Sequence, residues 1–309
     1  SNVKAQTAVS TGLSAIPPRL EVEVKPDTTN TQVIKVRNES SETKTISISL
    51  RDFIVTDNQG TPNFLDITDT ESNRWSASSW IQLSETSLTI KAGETKNLNL
   101  SVIVPENALP GGHYAAVVYS PNSGSIGSST GASVQTNVGT LVYVTVPGDI
   151  NQSASIQSFT APKFSEFGPV SFKSTIKNSS DIHIQPVGSI VVTNWLGGQT
   201  AKLALDQTNI FPYTSRNFEN TLDKKWLFGR YKATLNAVYG TAGGVVAATI
   251  FFWVIPWRLL ILVAAGIGII VTLILILKNK PKKTKSTSSN DEVAELEKEL
   301  EALKKKYKD

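Results

Sequence analysis

The chain has 309 residues, no cysteine and only two histidines, His113 and His183, which excludes disulfides, thiolate chemistry and metal sites rich in cysteine or histidine. Its net charge of +4 does not indicate nucleic-acid binding, because residues 278–309 hold 10 of the 30 Lys and Arg residues and 7 of the 26 Asp and Glu residues. Residues 1–258 then carry 20 basic and 19 acidic groups without a basic stripe, and we expect no nucleic-acid partner.

The N-terminus of the chain is Ser1, and no methionine is present. Removal of a secretory signal peptide accounts for this start and would put the mature N-terminus outside the cell. A residue left by a purification tag is the alternative. We expect residues 1–18 to be an extension in front of the first domain.

Apolar residues recur at every second position through residues 19–148, which is the period of a strand with one face on a core. Leu20–Val24 and Leu98–Val104 are clear examples, and turn sequences such as Pro110-Gly111-Gly112 separate such stretches. Many short strands joined by regular turns predict a β-sandwich of the immunoglobulin or fibronectin type. We therefore expect an all-β fold with a first sandwich over residues 19–148.

A long connection at residues 57–80 of this first domain contains the candidate ligand-binding residues. Trp75 follows Arg74 there, and we expect both side chains to be exposed, because aromatic side chains on loops commonly contact sugars and proteins. Tyr114, which opens a later strand, is the third candidate. Trp80 begins an apolar–polar alternation and is expected in the core.

A second long connection, residues 120–137, is rich in Gly and Ser and is either a binding loop or a mobile insertion. His113 and His183 are predicted to lie in strands of different domains, and neither is expected to act as a catalytic base. The sequence has no G-x-S-x-G, H-E-x-x-H or phosphate-loop motif. We expect no enzyme activity, no cofactor and no metal.

Residues 149–255 are predicted to form a second sandwich of the same type, after a boundary at Val146–Asp149. Both sandwiches place Asn after an early strand, at Asn38 and Asn178, where the side chain can bond the turning backbone. Two related sandwiches in tandem explain this repeat, and so does chance. Asn38, Asn151 and Asn178 also match N-x-S, so they are either glycosylation sites or unmodified turn residues.

A transmembrane helix is predicted over residues 256–278. Leu259–Leu277 has nineteen residues without a charge, which span roughly 28 Å as a helix, close to the hydrocarbon thickness of a bilayer. Trp253, Trp257 and Arg258 are expected to anchor its outer end among the lipid headgroups. Lysines follow the span, so the positive-inside rule puts the C-terminus in the cytoplasm and the N-terminus outside a single-pass cell-membrane protein.

The tail consists of a basic flexible linker over residues 279–290 and an amphipathic helix over residues 291–309. Apolar residues of this helix recur at spacings of three and four, the heptad pattern of a coiled coil. They are Val293, Leu296, Leu300, Leu303 and Tyr307. Two interpretations are open: self-association or docking of a partner helix, and a solvated helix without a partner.

The order of these parts resembles the WxL-interacting surface proteins of Gram-positive bacteria over residues 19 to 285. The matching segments of the first domain are Leu20–Pro26, Val33–Asn38, Ala92-Gly93-Glu94, Val104-Pro105 and Pro110-Gly111-Gly112. Those of the second are Gly168-Pro169-Val170, Lys177-Asn178, Phe211-Pro212, Gly229-Arg230-Tyr231 and Ile255-Pro256-Trp257. The resemblance implies a first domain that binds peptidoglycan and a second that binds a partner or host protein.

The expected function is that of a non-catalytic, membrane-anchored surface protein whose ectodomain binds cell-wall polymer or another surface protein. An accessory or scaffold subunit of a larger membrane complex is the alternative. The expected partners are membrane lipid, cell-wall polymer or a surface protein, and a coiled-coil partner or second copy at the tail.

Overall fold

The computed structural model of the chain describes residues 12–65, 73–121, 138–278 and 289–307. Five predicted segments lie partly outside them: the extension before residue 12, the first long connection at 66–72, the Gly/Ser-rich connection at 122–137, the basic linker at 279–288 and the end of the tail helix at 308–309. The chain divides between Ile255 and Pro256 into two compact units. Every described strand belongs to the first unit, and the second contains two helices.

The N-terminal sandwich consists of two sheets within residues 13–146. Its strands are β1 (Leu13–Ile16), β2 (Arg19–Glu23), β3 (Thr29–Asn38), β4 (Lys44–Val55), β5 (Pro62–Phe64), β6 (Ile81–Leu83), β7 (Ser87–Ile90), β8 (Thr95–Ile103), β9 (Gly111–Pro121) and β10 (Val138–Val146). One sheet has the order β1-β3-β8-β6 and the other the order β2-β10-β9-β4-β5, with β7 paired to β4. Ile34, Leu98 and Val117 are fully buried between the sheets, because a strand places every second side chain on one face.

The C-terminal sandwich is built in the same way within residues 154–254. Its strands are β11 (Ala154–Thr160), β12 (Phe164–Ser165), β13 (Val170–Asn178), β14 (Val187–Asn194), β15 (Gln199–Ala204), β16 (Ser215–Leu222), β17 (Gly229–Tyr239) and β18 (Gly244–Val254). The two sheets have the orders β11-β13-β16 and β12-β18-β17-β14-β15. Phe172, Ile190 and Leu235 form the centre of its core.

The two sandwiches repeat one strand arrangement. In each, the first strand lies at the edge of the smaller sheet, β1 beside β3 and β11 beside β13. The chain then crosses to the larger sheet and pairs in parallel with the last strand of that sandwich, β2 with β10 and β12 with β18. The other strand pairs are antiparallel.

A buried asparagine closes the same turn in both sandwiches. The Nδ2 groups of Asn38 and Asn178 donate to the carbonyl oxygen four residues later, at 2.7 and 2.8 Å. Each also donates to a distant strand or loop, to the carbonyl oxygens of Ile90 (3.0 Å) and Ile210 (2.9 Å). Each Oδ1 accepts the backbone N–H two residues later, which confirms both as turn residues.

Glycosylation of Asn38 and Asn178 in the folded protein is therefore a wrong prediction. Both residues are fully buried, and the Nδ2 that would carry the sugar already donates two hydrogen bonds to backbone carbonyls. Asn151 is exposed, and its Nδ2 lies 3.4 Å from the Ser179 carbonyl oxygen. Glycosylation therefore stays a prediction for Asn151 alone among the three residues.

The prediction of a fold dominated by β-strands is confirmed, with two differences in detail. Residues 13–16, predicted as part of an extension, form β1 and pair with β3, because Leu13 is apolar and buried in the core. His183, predicted in a strand, lies in the loop between β13 and β14.

The second unit contains α1 (Trp257–Lys278) and α2 (Ser289–Lys306). Among the described residues α1 is long and apolar enough to cross a membrane, judged by length and composition. It covers the predicted span of Leu259–Leu277. The apolar residues of the α2 heptads are more than half exposed: Val293, Leu296, Leu300, Leu303 and, just beyond the helix, Tyr307.

Candidate functional site at the junction of the two sandwiches

Strand β9 is buried on both of its faces, and the candidate site lies along this strand. Residues 111–119 of this strand are all buried, whereas both of its neighbours in the sheet, β10 and β4, contain several positions that are only partly buried. One face packs into the core of the N-terminal sandwich. The other face carries Tyr114, Ala116 and Val118, which belong to one buried cluster with Phe211 of the C-terminal sandwich, so the two sandwiches meet here.

Five aromatic rings pack together at this contact, and we call them the junction cluster. They are Phe53, Tyr114 and Tyr143 from the N-terminal sandwich and His183 and Phe211 from loops of the C-terminal sandwich. Ring centroids are 5.0 Å apart for Tyr114–Phe211 and for Tyr143–His183, and 5.6 Å apart for Phe53–Phe211. Edge-to-face pairs at such distances favour aromatic packing beyond the burial of area alone.

Hydrogen bonds cross the junction on each side of this cluster. The Tyr114 hydroxyl accepts the His183 backbone N–H at 2.8 Å. The Gly112 N–H donates to the Asp181 carbonyl oxygen at 2.8 Å. Farther out, the Asn217 N–H donates to the Asn58 carbonyl oxygen at 2.9 Å. Backbone groups from both sandwiches are therefore fixed against each other.

Asp181 connects the junction to the predicted ligand-binding loop. Its carboxylate lies 3.1 Å from an Arg74 guanidinium nitrogen and accepts the Tyr213 hydroxyl at 3.0 Å. Tyr213 has a φ of 59°, a left-handed conformation that costs an aromatic residue about 1 kcal/mol or more. A Cβ at Gly111 would overlap the Asp181 carbonyl oxygen, so the chain needs glycine at that position.

His183 is held neutral by its surroundings. Burial lowers the pKa of His183, the Glu21 carboxylate raises it, and Arg19 lowers it. Its Nε2 lies 4.0 Å from a Glu21 carboxylate oxygen, and its Nδ1 lies 3.2 Å from the Tyr114 hydroxyl. A neutral ring can accept the phenol proton at Nδ1, and burial raises the pKa of Tyr114 so that this phenol keeps its proton.

His113 has a structural place inside the N-terminal sandwich. Its Nε2 lies 2.9 Å from the Leu109 carbonyl oxygen, and its ring centroid is 4.3 Å from that of Trp80. Burial lowers the pKa of His113 as well. Trp80 is partly buried against the core, as the alternation predicted.

The three predicted ligand-binding residues meet at the junction, but not as an exposed patch. Tyr114 is 2 % exposed and is enclosed by the junction cluster. Trp75 is half-buried rather than exposed, because its ring packs 5.9 Å from that of Tyr213 and 4.8 Å from the Arg74 guanidinium. Arg74 is exposed but paired with Asp181. Their partners are therefore residues of this chain.

A small groove opens beside these residues. It has a volume of about 180 Å³ and is lined by residues of β4, Trp75, Tyr114 and the Phe211–Thr214 loop. Within the described ranges, no group of three or more His, Asp or Glu side chains is placed to hold a metal ion. The groove can take one small apolar group, and its lining supplies no charged side chain.

The residues that the C-terminal sandwich brings to the junction, above all His183 and Phe211, were not predicted from the sequence. A signal for the contact was present in the first domain. Apart from His113, Gly111–Tyr119 contains only small, apolar and aromatic residues, which is typical of a strand covered on both faces. The matching residues on the C-terminal sandwich lie in loops, where no periodicity marks them.

Comparisons with protein-family models and with curated protein sequences found no match. Among solved structures, the class 5 fimbrial chaperone CfaA is 16 % identical with a TM-score of 0.38, over 79 % of this chain and 99 % of that one. The E. coli chaperone DraB is 10 % identical with a TM-score of 0.36, over 78 % and 96 %. A chain from the complex of Salmonella enterica SafA pilin with the SafB chaperone is 11 % identical with a TM-score of 0.36, over 81 % and 99 %. Similarity at this level assigns no partner to the present chain.

Proposed function

We propose that the chain is a non-catalytic, single-pass membrane protein whose two immunoglobulin-like sandwiches stand outside the cell and bind cell-wall polymer or another surface protein. The observation that carries the proposal is α1, which begins at Trp257 and is separated from the end of β18 by two residues. It has the length and composition of a membrane span. The resemblance to the WxL-interacting proteins supports peptidoglycan as the polymer.

The anchor is tested on the full chain in cell membranes. Alkaline extraction should leave the protein in the membrane fraction, and protease added to intact cells should digest the sandwiches while a tag after Asp309 stays protected. Release of the intact chain by alkali would contradict a spanning helix. Digestion of the tag with the sandwiches protected would contradict the orientation.

The outer face of the sheet β1-β3-β8-β6 is the surface that we assign to the polymer. Exposed Thr31, Asn97 and Asn99 and half-buried Ser101 lie on one face of β3 and β8, and the Thr31 and Ser101 hydroxyls are 3.0 Å apart. Hydroxyl and amide groups supply both donors and acceptors, which suits the hydroxyl and acetamido groups of a glycan strand.

Retention on purified peptidoglycan tests this assignment, with the full chain in detergent micelles. Asn97→Ala with Asn99→Ala should weaken retention, because each lost hydrogen bond is worth about 1 kcal/mol, or roughly fivefold in affinity. The matched control is Thr234→Ala with Thr249→Ala, a cross-strand pair with hydroxyls 3.2 Å apart on the C-terminal sandwich. No retention of the unsubstituted chain, together with no captured surface protein, would contradict the proposed function.

The exposed heptad face of α2 favours a second candidate, an accessory subunit that docks a partner helix. Without a partner, α2 has Leu296 63 % exposed and Leu300 54 % exposed. Gentle detergent extraction followed by sedimentation distinguishes the two candidates. The accessory subunit would be supported by a complex with two properties. Leu296→Ser with Leu300→Ser should dissociate it, and Glu297→Ser should leave it intact. Migration of the unsubstituted chain as a lone monomer would contradict it.

A further inference from the structure

The end of the C-terminal sandwich from which the chain continues into α1 carries an unusual set of exposed side chains. At this end β14 and β18 finish and β17 begins, since Asn194 pairs with Tyr231 and Gly229 pairs with Val254. The connections over residues 161–169, 195–198 and 223–228 also reach this end, as the strand limits show. We call it the exit end.

Large apolar side chains are exposed on each of these connections. Trp195 is 69 % exposed, Leu196 72 %, Trp226 68 % and Phe228 61 %. Two further residues on adjacent strands extend this set, and the exit-end surface is defined as Phe164, Trp195, Leu196, Trp226, Phe228 and Trp253. Aromatic residues grouped from separate connections mark an interaction surface, because single exposed apolar residues are common but groups of them are not.

The opposite end of this sandwich offers a contrast. The exposed apolar residues there are Val187, Val238 and Val245, which lack aromatic rings, and Tyr213, which is 52 % exposed beside the junction. The aromatic residues that face the N-terminal sandwich, such as Phe211, are mostly covered by the junction. Exposed Trp and Phe are thus concentrated where the chain leaves the sandwich.

Positive charge surrounds the exit-end surface. The basic residues on its connections and strand ends are Lys163, Lys224, Lys225, Arg230 and Lys232, against Glu166 and Asp223. The Arg230 guanidinium lies 4.3 Å from the centroid of the Phe251 ring. A groove of about 300 Å³ runs between Trp195, Arg230, Lys232 and Phe251, so aromatic and cationic groups line the same depression.

We propose that the exit-end surface binds the headgroup layer of an anionic lipid bilayer, the same membrane that α1 spans. Trp and Phe favour the headgroup region, and Lys and Arg are attracted to anionic lipid there. Only Ile255 and Pro256 lie between β18 and α1, so the chain can separate Val254 from Trp257 by roughly 10 Å at most. This inference rests on the proposed membrane anchor and adds a second attachment, through the folded domain itself.

The test uses the full chain in vesicles of phosphatidylglycerol and phosphatidylcholine. Because the chain has no cysteine, Leu196→Cys gives a single site for an environment-sensitive fluorophore, and Ala242→Cys in the β17–β18 turn gives a matched site at the other end of the sandwich. We expect nitroxide lipids with a shallow label to remove most of the emission at position 196 and little at position 242. Equal emission loss at the two positions overturns the proposal.

Flotation of the same vesicles separates this inference from the anchor. Protein that floats with the vesicles but shows no quenching at position 196 keeps the anchor and overturns the headgroup contact. Protein that does not float overturns both. A blue shift at position 196 that persists in detergent without lipid and grows with protein concentration assigns the surface to a second copy of the chain, which also overturns the lipid contact.

The charge contribution has its own test. Lys225→Gln with Arg230→Gln should reduce quenching at position 196 in anionic vesicles, while Lys25→Gln with Lys91→Gln, at exposed positions of the N-terminal sandwich, should leave it unchanged. Quenching that is the same in vesicles with and without phosphatidylglycerol would overturn the anionic preference.

Discussion

At the scale of single residues, the hydroxyl of Tyr114 is the clearest link between the two sandwiches. It accepts the His183 backbone N–H at 2.8 Å, and both groups are enclosed by the junction cluster. Tyr114→Phe leaves that buried N–H without an acceptor, so we expect a loss of about 2 kcal/mol in the free energy of unfolding. Hydrogen exchange at the His183 amide, measured on the full chain in micelles, should become faster.

Tyr231→Phe is the control for this substitution. The Tyr231 hydroxyl also accepts a backbone N–H, that of Phe228 at 3.0 Å, but both residues belong to the C-terminal sandwich. It should cost similar stability and leave exchange at the His183 amide unchanged. Equal exchange rates at that amide in Tyr114→Phe and the parent chain would show that the hydroxyl does not secure the junction.

The two histidines predict how stability depends on pH. Burial lowers the pKa of both His183 and His113 from the ordinary value of 6.5. The unfolded chain therefore binds more protons, and the free energy of unfolding should decrease as the pH falls through 6.5 and toward the lowered values. Urea unfolding at about pH 7 and about pH 5 should show this loss.

Substitution assigns this pH effect to each histidine. His183→Gln should remove part of the difference in the free energy of unfolding between the two pH values. The part removed is the one that comes from protonation of His183 when the junction opens. His113→Gln should remove the part of this difference that comes from protonation of His113 when the N-terminal sandwich unfolds. A pH dependence that is unchanged in both variants would contradict the assignment to histidine.

At the scale of elements, the buried asparagine turn is the unit that the sandwiches share. Asn178 donates to the carbonyl oxygens of Ile182 and Ile210, and Asn178→Ala leaves both without this donor. We expect a loss of about 2 kcal/mol in the stability of the C-terminal sandwich. Asn38→Ala should have the same effect on the N-terminal sandwich, because its contacts are equivalent.

Asn151→Ala is the matched control, since Asn151 is exposed and its one amide contact is 3.4 Å long. The melting temperature of the Asn151→Ala variant should stay close to that of the parent chain. A similar loss for Asn151→Ala and Asn178→Ala would contradict the structural role of the buried turn.

Other elements show how far a sequence pattern reaches. The alternation of Leu98–Val104 predicts a strand because one face must be buried, and β8 is that strand. The uncharged apolar run of α1 is also recognisable from the sequence, because its length exceeds what a soluble helix needs. β12 has two residues and no alternation, so its pairing with β18 was not predictable.

At the scale of the whole molecule, the junction makes the two sandwiches one compact unit. Gly111→Ala places a Cβ against the Asp181 carbonyl oxygen and should open the contact. Spin labels on Ala92→Cys and Ala242→Cys, one on each sandwich, should give a single narrow distance distribution in the parent chain. The distribution should broaden in Gly111→Ala.

The control for this prediction is Gly93→Ala. Gly93 also has a positive φ, 71°, but no atom lies within 4 Å of the added Cβ. It should lower the stability of its own turn and leave the distance distribution narrow. A narrow, unchanged distribution in Gly111→Ala would show that the Gly111 contact does not hold the sandwiches together.

The sequence by itself determined those features that depend on local period and composition. Alternation predicted the strands of both sandwiches, an uncharged run predicted α1, and an Asn after an early strand predicted matching turns at Asn38 and Asn178. Each follows from a local rule, burial along the chain for the strands and α1 and side-chain hydrogen bonding for the turns, so its prediction needs no distant contact.

Only the tertiary structure decided what the candidate residues do. Trp75, Arg74 and Tyr114 had the composition of a ligand-binding loop, but Asp181, His183 and Phe211 come from another sandwich to cover them. The exposed aromatic residues of the exit end are likewise far apart in sequence and near each other through strand register. Contacts between distant segments depend on how sheets pack, and a period of two carries no information about which loop will lie on a given face.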